Sequence, residues 1–330
     1  ALRCKDTIAP TGTIAQGVQA KQVNSKGEVY EHIYGLTTSQ RVYGTVKENQ
    51  LGHGPCYLKT SGITSDQDQD LLKAYLNMAP SQTLKWIESG KMPSEQDVEI
   101  QGTEPYIVGG HTASGYWVNT GRETTVKGLY AAGDVAGGCP QKYVTGALAE
   151  GKLAALDMVK QFKAGTLKEA DVQTETEIKV QEEEILSQYE KFRNEDAPAF
   201  SVEELEEKIQ KVMDEYAGGI ASNYKFNEKQ LALADEKIVQ LQALAEKTAA
   251  ADMHELMFAY ELRERLIVCR SLIAHLKNRK ETRWHSFNEN LDHPETDEKF
   301  YKYVNSKLEN GDIRIIFRDI VKEDTYEHTN

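Results

Sequence analysis

Thr124-Thr-Val-Lys-Gly-Leu-Tyr-Ala-Ala-Gly-Asp134 is the stretch on which the fold turns. Its apolar run, residues 128–132, reads as a buried strand ending in Gly133-Asp134. Gly137, Gly138, Gly146, Gly151 and Pro140 follow, and a helical pattern runs from about Ala147 to Phe162. Strand, glycine-rich turn and helix in that order are the pattern of a nucleotide-binding α/β domain. Glycine lets the main chain approach a cofactor closely, and an Asp at a strand end accepts hydrogen bonds from ribose or ribityl hydroxyls. A helix start beyond the turn offers free N–H groups and partial positive charge, which suit an anion.

Working outward, the chain divides by composition. Of its 330 residues, 39 are Lys or Arg and 52 Asp or Glu, a net charge of −13. Residues 1–165 are neutral in sum and hold 21 of the 24 glycines; the whole negative charge lies in residues 166–330. In the first part, 13–18 and 29–33 read as short strands around an Asn24-Ser-Lys-Gly27 turn. Residues 66–78 and 80–89 read as two helices, with Leu71, Leu72, Tyr75 and Leu76 on one apolar face and Leu84 and Ile87 on the next. Residues 106–108 and 115–118 are further short strands. Beyond residue 175 helices dominate. Ser201-Val-Glu-Glu204 is a capping box whose helix stops at Gly218-Gly219, Asn227 with Gln230 starts another, and 251–281 is a long third. A bundle of three or four helices is expected, with a strand-like 313–317 in the tail.

These features exclude several classes. No apolar run approaches the roughly 18–20 residues that span a bilayer. An acidic chain does not suit general nucleic-acid binding. Cys4, Cys56, Cys139 and Cys269 lie far apart with no CxxC, which supports neither a metal nor a cluster site and suits a reducing cytoplasm. A dinucleotide fold also needs a G-x-G-x-x-G turn after its first strand. The nearest attempt, Gly52-His-Gly54, has Tyr57 at the third glycine position and precedes no helix. The chain opens on Ala1 inside structured-looking sequence, so a piece of a longer protein is expected.

The strings GLYAAGDVAGG (128–138), TEPYIVGGH (103–111) and QKYVTGALAEG (141–151) resemble the fumarate reductase/succinate dehydrogenase flavoprotein family, and within it the adenylylsulfate-reducing branch. Arg3-Cys-Lys-Asp6, Asn24-Ser-Lys-Gly-Glu28, Gly52-His-Gly-Pro55, Asp214-Glu-Tyr-Ala-Gly-Gly219 and Tyr303-Val-Asn-Ser-Lys307 carry the same resemblance. It implies a fold of α/β plus α. Part of an α+β capping domain (1–103) and the distal part of a Rossmann-like FAD-binding domain (104–165) would precede a helical domain (166–285) and a mixed tail (286–330).

The resemblance also implies roles. Arg41 is similar to the capping-domain arginine that serves fumarate reductases as proton donor, and His111 to an active-site histidine. Lys142 stands where fumarate reductases place a carboxylate-binding arginine, and Arg3 resembles an arginine of the adenylylsulfate pocket. Gly133 and Asp134 match the ribose- or ribityl-holding turn; Thr145, Gly146, Ala147 and Leu148 match the loop along the flavin's pyrimidine edge. The implied activity is FAD-dependent reduction of adenylylsulfate to sulfite and AMP through a flavin–sulfite adduct, with electrons from an iron–sulfur beta subunit. A dicarboxylate oxidoreductase is the alternative within enzymes, and an acidic helical scaffold is the alternative outside them. The loop between Asn119 and Thr124 is much shorter than the family's.

Overall fold

In the computed structural model the described residues are 2–4, 12–36, 38–78, 80–102, 114–138, 144–167, 174–194, 200–219, 221–248, 250–283 and 288–320. The chain divides into two units, Ala1–Gly109 with Trp284–Glu289, and Gly110–Arg283 with Asn290–Asn330.

The first unit is built on an antiparallel sheet of β1 (Leu2–Cys4), β2 (Lys21–Val23), β3 (Cys56–Lys59) and β4 (Val98–Gly102), in the order β1-β4-β3-β2. Period-two alternation decides its inner face: Cys56 and Leu58 of β3 and Val98 and Ile100 of β4 are buried. The helices α1 (Glu31–Tyr34), α2 (Thr38–Gln50), α3 (Ser65–Met78) and α4 (Pro80–Ser89) complete this unit. Val42 of α2, Leu71 and Tyr75 of α3 and Trp86 of α4 join the sheet residues in one core. Tyr75 and Trp86 meet edge to face with centroids 5.3 Å apart.

Two expectations are corrected here. Residues 12–18 form a 3-10 turn and 31–34 a short helix, so the hairpin at Asn24-Ser-Lys-Gly27 shrinks to β2 and a single bridge from Val23 to Val29. On α4 the buried residues are Gln82, Thr83 and Trp86, while Leu84 and Ile87 are exposed. One large indole took the inward position and rotated the two aliphatic residues outward.

The second unit holds α5 (Val144–Lys163), α6 (Glu175–Asn194), α7 (Val202–Tyr216), α8 (Glu228–Ala245) and α9 (Met253–Asn278). Two-residue strands β5 (Lys225–Phe226) and β6 (Glu289–Asn290) punctuate the chain, and β7 (Lys302–Glu309) and β8 (Asp312–Asp319) form a hairpin. The expected helix starts are present: Ser201 Oγ accepts the Glu204 amide at 3.2 Å, and Asn227 Oδ1 accepts that of Gln230 at 2.8 Å. Helices α7, α8 and α9 share a core that includes Leu205, Ile209, Leu231, Ile238, Leu266 and Ile273. The hairpin turns on Asn310 and Gly311, both at positive φ (53° and 84°), and its turn is tied to α9 by Arg270 Nη1 donating to Gly311 O at 2.9 Å.

Candidate functional site

The segment that opened the sequence reading folds as a set of tight turns around α5. Residues 128–132 do not join a ladder among the described residues. They are held by one antiparallel bridge, Glu123 to Tyr130, and by the Ala131 amide donating to Arg122 O at 3.0 Å; just beyond them Ala136 bridges Tyr116 in parallel. At their end Gly133 has φ +74°, a left-handed conformation that glycine adopts without strain. A Cβ built there would lie 3.1 Å from the Ala147 Cβ, so the turn sits directly on the first turn of α5. Gly133, Ala147 and their neighbours Asp134, Thr145, Gly146 and Leu148 are thereby brought to one place. Residues 145–148 belong to the helix itself, not to a loop before it, because α5 begins three residues earlier than its apolar pattern indicates. Its first turn carries no acidic residue, so no carboxylate there answers the helix dipole.

One residue in this cluster was not singled out from sequence. Glu150, buried on α5, accepts the Gly133 amide at 2.9 Å, and its other oxygen lies 3.2 Å from Arg122 Nε. Arg122 sits at φ +69° in the short 119–124 loop, whose turn is closed by its amide on Asn119 O at 3.0 Å. An arginine in left-handed backbone costs about 1–2 kcal/mol, and the ion pair to a buried carboxylate offsets that cost. Below, Tyr130 Oη donates to Asp157 Oδ2 at 3.0 Å; burial and the carboxylate push its pKa up to about 12.

In the first unit, Arg41 lies on α2 with its side chain mostly covered. Its Nε is 4.0 Å from Glu31 Oε2 and makes no hydrogen bond among the described residues. Glu31 is buried and also faces Lys21 Nζ at 3.3 Å. The helix turn at Arg41 is pinned by its carbonyl, which accepts from Thr45 Oγ1 at 3.0 Å and Gln22 Nε2 at 3.3 Å. Arg3 is placed in the backbone of β1 opposite Gln101; its side chain, His111 and Lys142 lie outside the described residues. A cavity of about 390 Å³ in this unit is lined by Tyr57, Lys85, Glu95, Asp97 and Glu99 among others, and by none of the expected site residues.

No family model matches the chain. Adenylylsulfate reductase subunit alpha of Megalodesulfovibrio gigas is 29% identical over 367 residues, covering 93% of this chain and 55% of that protein. The structure of adenylylsulfate reductase from the hyperthermophilic Archaeoglobus fulgidus matches 99% of this chain and 59% of its own, with a TM-score of 0.81 at 28% identity. This chain resembles the adenylylsulfate reductase alpha subunit. A further adenosine-5-phosphosulfate reductase structure, in complex with sulfite as a covalent adduct, has a TM-score of 0.82 at 27% identity over 99% of this chain and 59% of that one. A quinol–fumarate reductase, at 18% identity and a TM-score of 0.72 over 99% of this chain and 60% of that one, shares the fold. The chain spans somewhat more than half the length of the adenylylsulfate reductase relatives it matches.

The turn after Asp134 leaves main chain open on one side. Gly138 has φ +78° and a Cβ built on it would meet nothing within 4 Å, so bare main chain borders open space there. Asp134 is exposed beside it, and the start of α5 presents its N–H groups. The stretch is anchored from behind. The Arg318 guanidinium of β8 stacks 3.7 Å from the Trp117 ring centroid and 5.2 Å from that of Tyr303, and its Nε donates to Asn305 Oδ1 at 2.8 Å. Arg318→Ala is expected to destabilise the second unit by about 1–2 kcal/mol and to shift Trp117 emission to the red. Urea titration followed by fluorescence checks both, and an unshifted spectrum would refute the anchor. No described helix is long and apolar enough to cross a membrane.

Proposed function

We propose that the protein to which this chain belongs is an adenylylsulfate reductase of the alpha-subunit type, reducing adenylylsulfate to sulfite and AMP. The observation that carries the reading is likeness to adenylylsulfate reductase along 99% of the chain, at a TM-score of 0.81 and 28% identity. In this reading residues 1–103 are part of the capping domain and 104–165 the distal part of the FAD-binding domain. Residues 166–285 are the helical domain and 286–330 the tail. An iron–sulfur beta subunit supplies the electrons.

FAD, when bound, would supply the electron pair that the reduction consumes. The bond between sulfur and the bridging oxygen breaks, and that oxygen leaves with AMP; sulfite and AMP as dianions balance the step with two electrons. The chain's part is electrostatic. Arg3, Arg41, Lys142 and a protonated His111 bind the phosphosulfate and neutralise charge on the departing phosphate. Asp134 holds ribityl or ribose hydroxyls. Gly133 and the first turn of α5, with Thr145, Gly146, Ala147 and Leu148, favour negative charge on the ring system.

The test is turnover of the assembled complex with reduced viologen as donor. Adenylylsulfate is expected to be reduced far faster than fumarate, and His111→Ala and Lys142→Ala to lower that rate by about a hundredfold or more each, the scale of a lost oxyanion donor. Faster fumarate reduction would replace this reading with a dicarboxylate oxidoreductase. Unchanged turnover in both variants would favour the scaffold reading.

A further inference from the structure

The cavity of about 390 Å³ in the first unit is built from groups that the proposed reaction does not use. Tyr57 of β3 and Glu99 of β4 stand opposite each other in the ladder, alternating with the buried Cys56, Leu58, Val98 and Ile100. Gln82 and Lys85 come from one turn of α4, and Glu95 and Asp97 from the chain between α4 and β4. Three carboxylates and one ammonium line the cavity, a formal charge of −2. Two of the carboxylates are fixed by backbone amides. Asp97 Oδ1 accepts from Thr60 N at 2.8 Å and Ser61 N at 2.7 Å, and Glu95 Oε2 accepts from Met92 N at 2.9 Å. The other oxygen of each has no partner among the described residues.

Gln82 is the deciding group. It is only 4% exposed, it borders the cavity, and its carboxamide makes no hydrogen bond among the described residues. A buried amide left unmet is costly, so a polar side chain at this inward position of α4 points to something in the cavity that bonds to it. Water would answer the amide but would leave the negative charge of the lining uncompensated.

We propose that this cavity binds a small organic cation carrying several N–H donors, an alkylguanidinium or a polyamine. Gln82 Oε1 and the unpartnered oxygens of Glu95 and Asp97 are its acceptors, and the two carboxylates make those hydrogen bonds charge-assisted. A bare metal ion does not suit the site: no three His, Cys, Asp or Glu side chains among the described residues come together closely enough to hold one. An anion meets net repulsion from the lining. The cation must therefore reach acceptors that lie apart, which an extended molecule with N–H groups does and a single ion does not.

The test is isothermal titration of the whole purified protein with agmatine and with spermidine, at about 0.15 M salt to screen exposed charges. Binding at one to one is expected for at least one of them. The tighter of the two assigns the ligand to guanidinium compounds or to polyamines, and either result upholds the site. Tetramethylammonium, which has charge but no N–H, should bind at least about tenfold more weakly. Gln82→Leu and, separately, Glu95→Gln should each weaken the bound probe by about tenfold, the scale of one hydrogen bond to a charged group. The probe should also raise the Tm of the wild-type protein more than that of either variant. Glu95 is exposed, so Glu95→Gln carries the test even where Gln82→Leu disturbs folding. No binding of either probe, equal affinity for tetramethylammonium, unchanged affinity in Glu95→Gln, or tighter binding of Mg²⁺ would each overturn the proposal.

Discussion

Gly115→Ala is expected to destabilise the second unit by about 2–5 kcal/mol, summing a left-handed backbone cost of about 1–2 kcal/mol with overpacking of about 1–3 kcal/mol. Gly115 has φ +156°, and a Cβ there would lie 2.6 Å from Ala136 C and Val135 O and 2.7 Å from Gly137 N. All three are backbone atoms of the turn that follows Asp134, and none can rotate away as a side chain would. The same contact is fixed by two short hydrogen bonds, Tyr116 N to Val135 O at 2.7 Å and Gly137 N to Tyr116 O at 2.8 Å. Relief therefore requires breaking this parallel bridge, which frees residues 133–138 from their support. Gly128→Ala is the control: its φ is +82° but the Cβ would meet nothing within 4 Å, so only the backbone cost of about 1–2 kcal/mol applies. Urea titration of the two variants, with amide exchange at Gly137 as the local probe, checks the ordering. Equal losses would mean that the turn does not bear on the fold.

What the sequence disclosed follows from the range of each physical effect. Helix starts at Ser201 and Asn227 were legible because a cap is closed within three residues of chain. The inward face of α4 was not, since Leu84 and Ile87 look as buried as Trp86 until the space beside Tyr75 is known. Residues 128–132 carry strand composition, but a ladder needs neighbouring strands, and composition says nothing of whether those are present. Within the candidate site, the Gly133 turn and the start of α5 were readable from glycine placement. Glu150, Arg122 and Glu31 were not, because each is recognised only by its partner across space. A buried Glu on the first turns of an otherwise apolar helix was the available signal for Glu150.

Glu281→Gln is expected to cost about 3–5 kcal/mol at neutral pH, the range found when one partner of a buried ion pair is removed. The Glu281 side chain is fully buried and gathers a cation on each side. Arg279 Nε donates to Oε1 at 2.8 Å, Arg283 Nη2 donates to Oε2 at 3.0 Å, and the Asp297 amide donates to Oε2 at 2.9 Å. The two arginines pass the constraint on, to Phe300 O and Asp297 O, so one carboxylate closes the end of α9 over residues 290–300. Without its charge both guanidinium groups are left facing a neutral amide where the Glu281 side chain itself is shut off from solvent. The pH dependence has a definite sign. Burial opposes ionisation, but the Arg283, Asp297 and Arg279 donors outweigh it and hold the Glu281 carboxyl below the ordinary 4.5. A depressed folded-state pKa contributes stability that is complete above the unfolded value and is lost as pH falls through the folded one. The gap between wild type and Glu281→Gln should therefore be widest at neutral pH and close on acidification below about 4.5. Urea midpoints measured between pH 7 and pH 3 decide the matter: a gap that persists undiminished at acid pH would show that shape, not charge, holds this clasp.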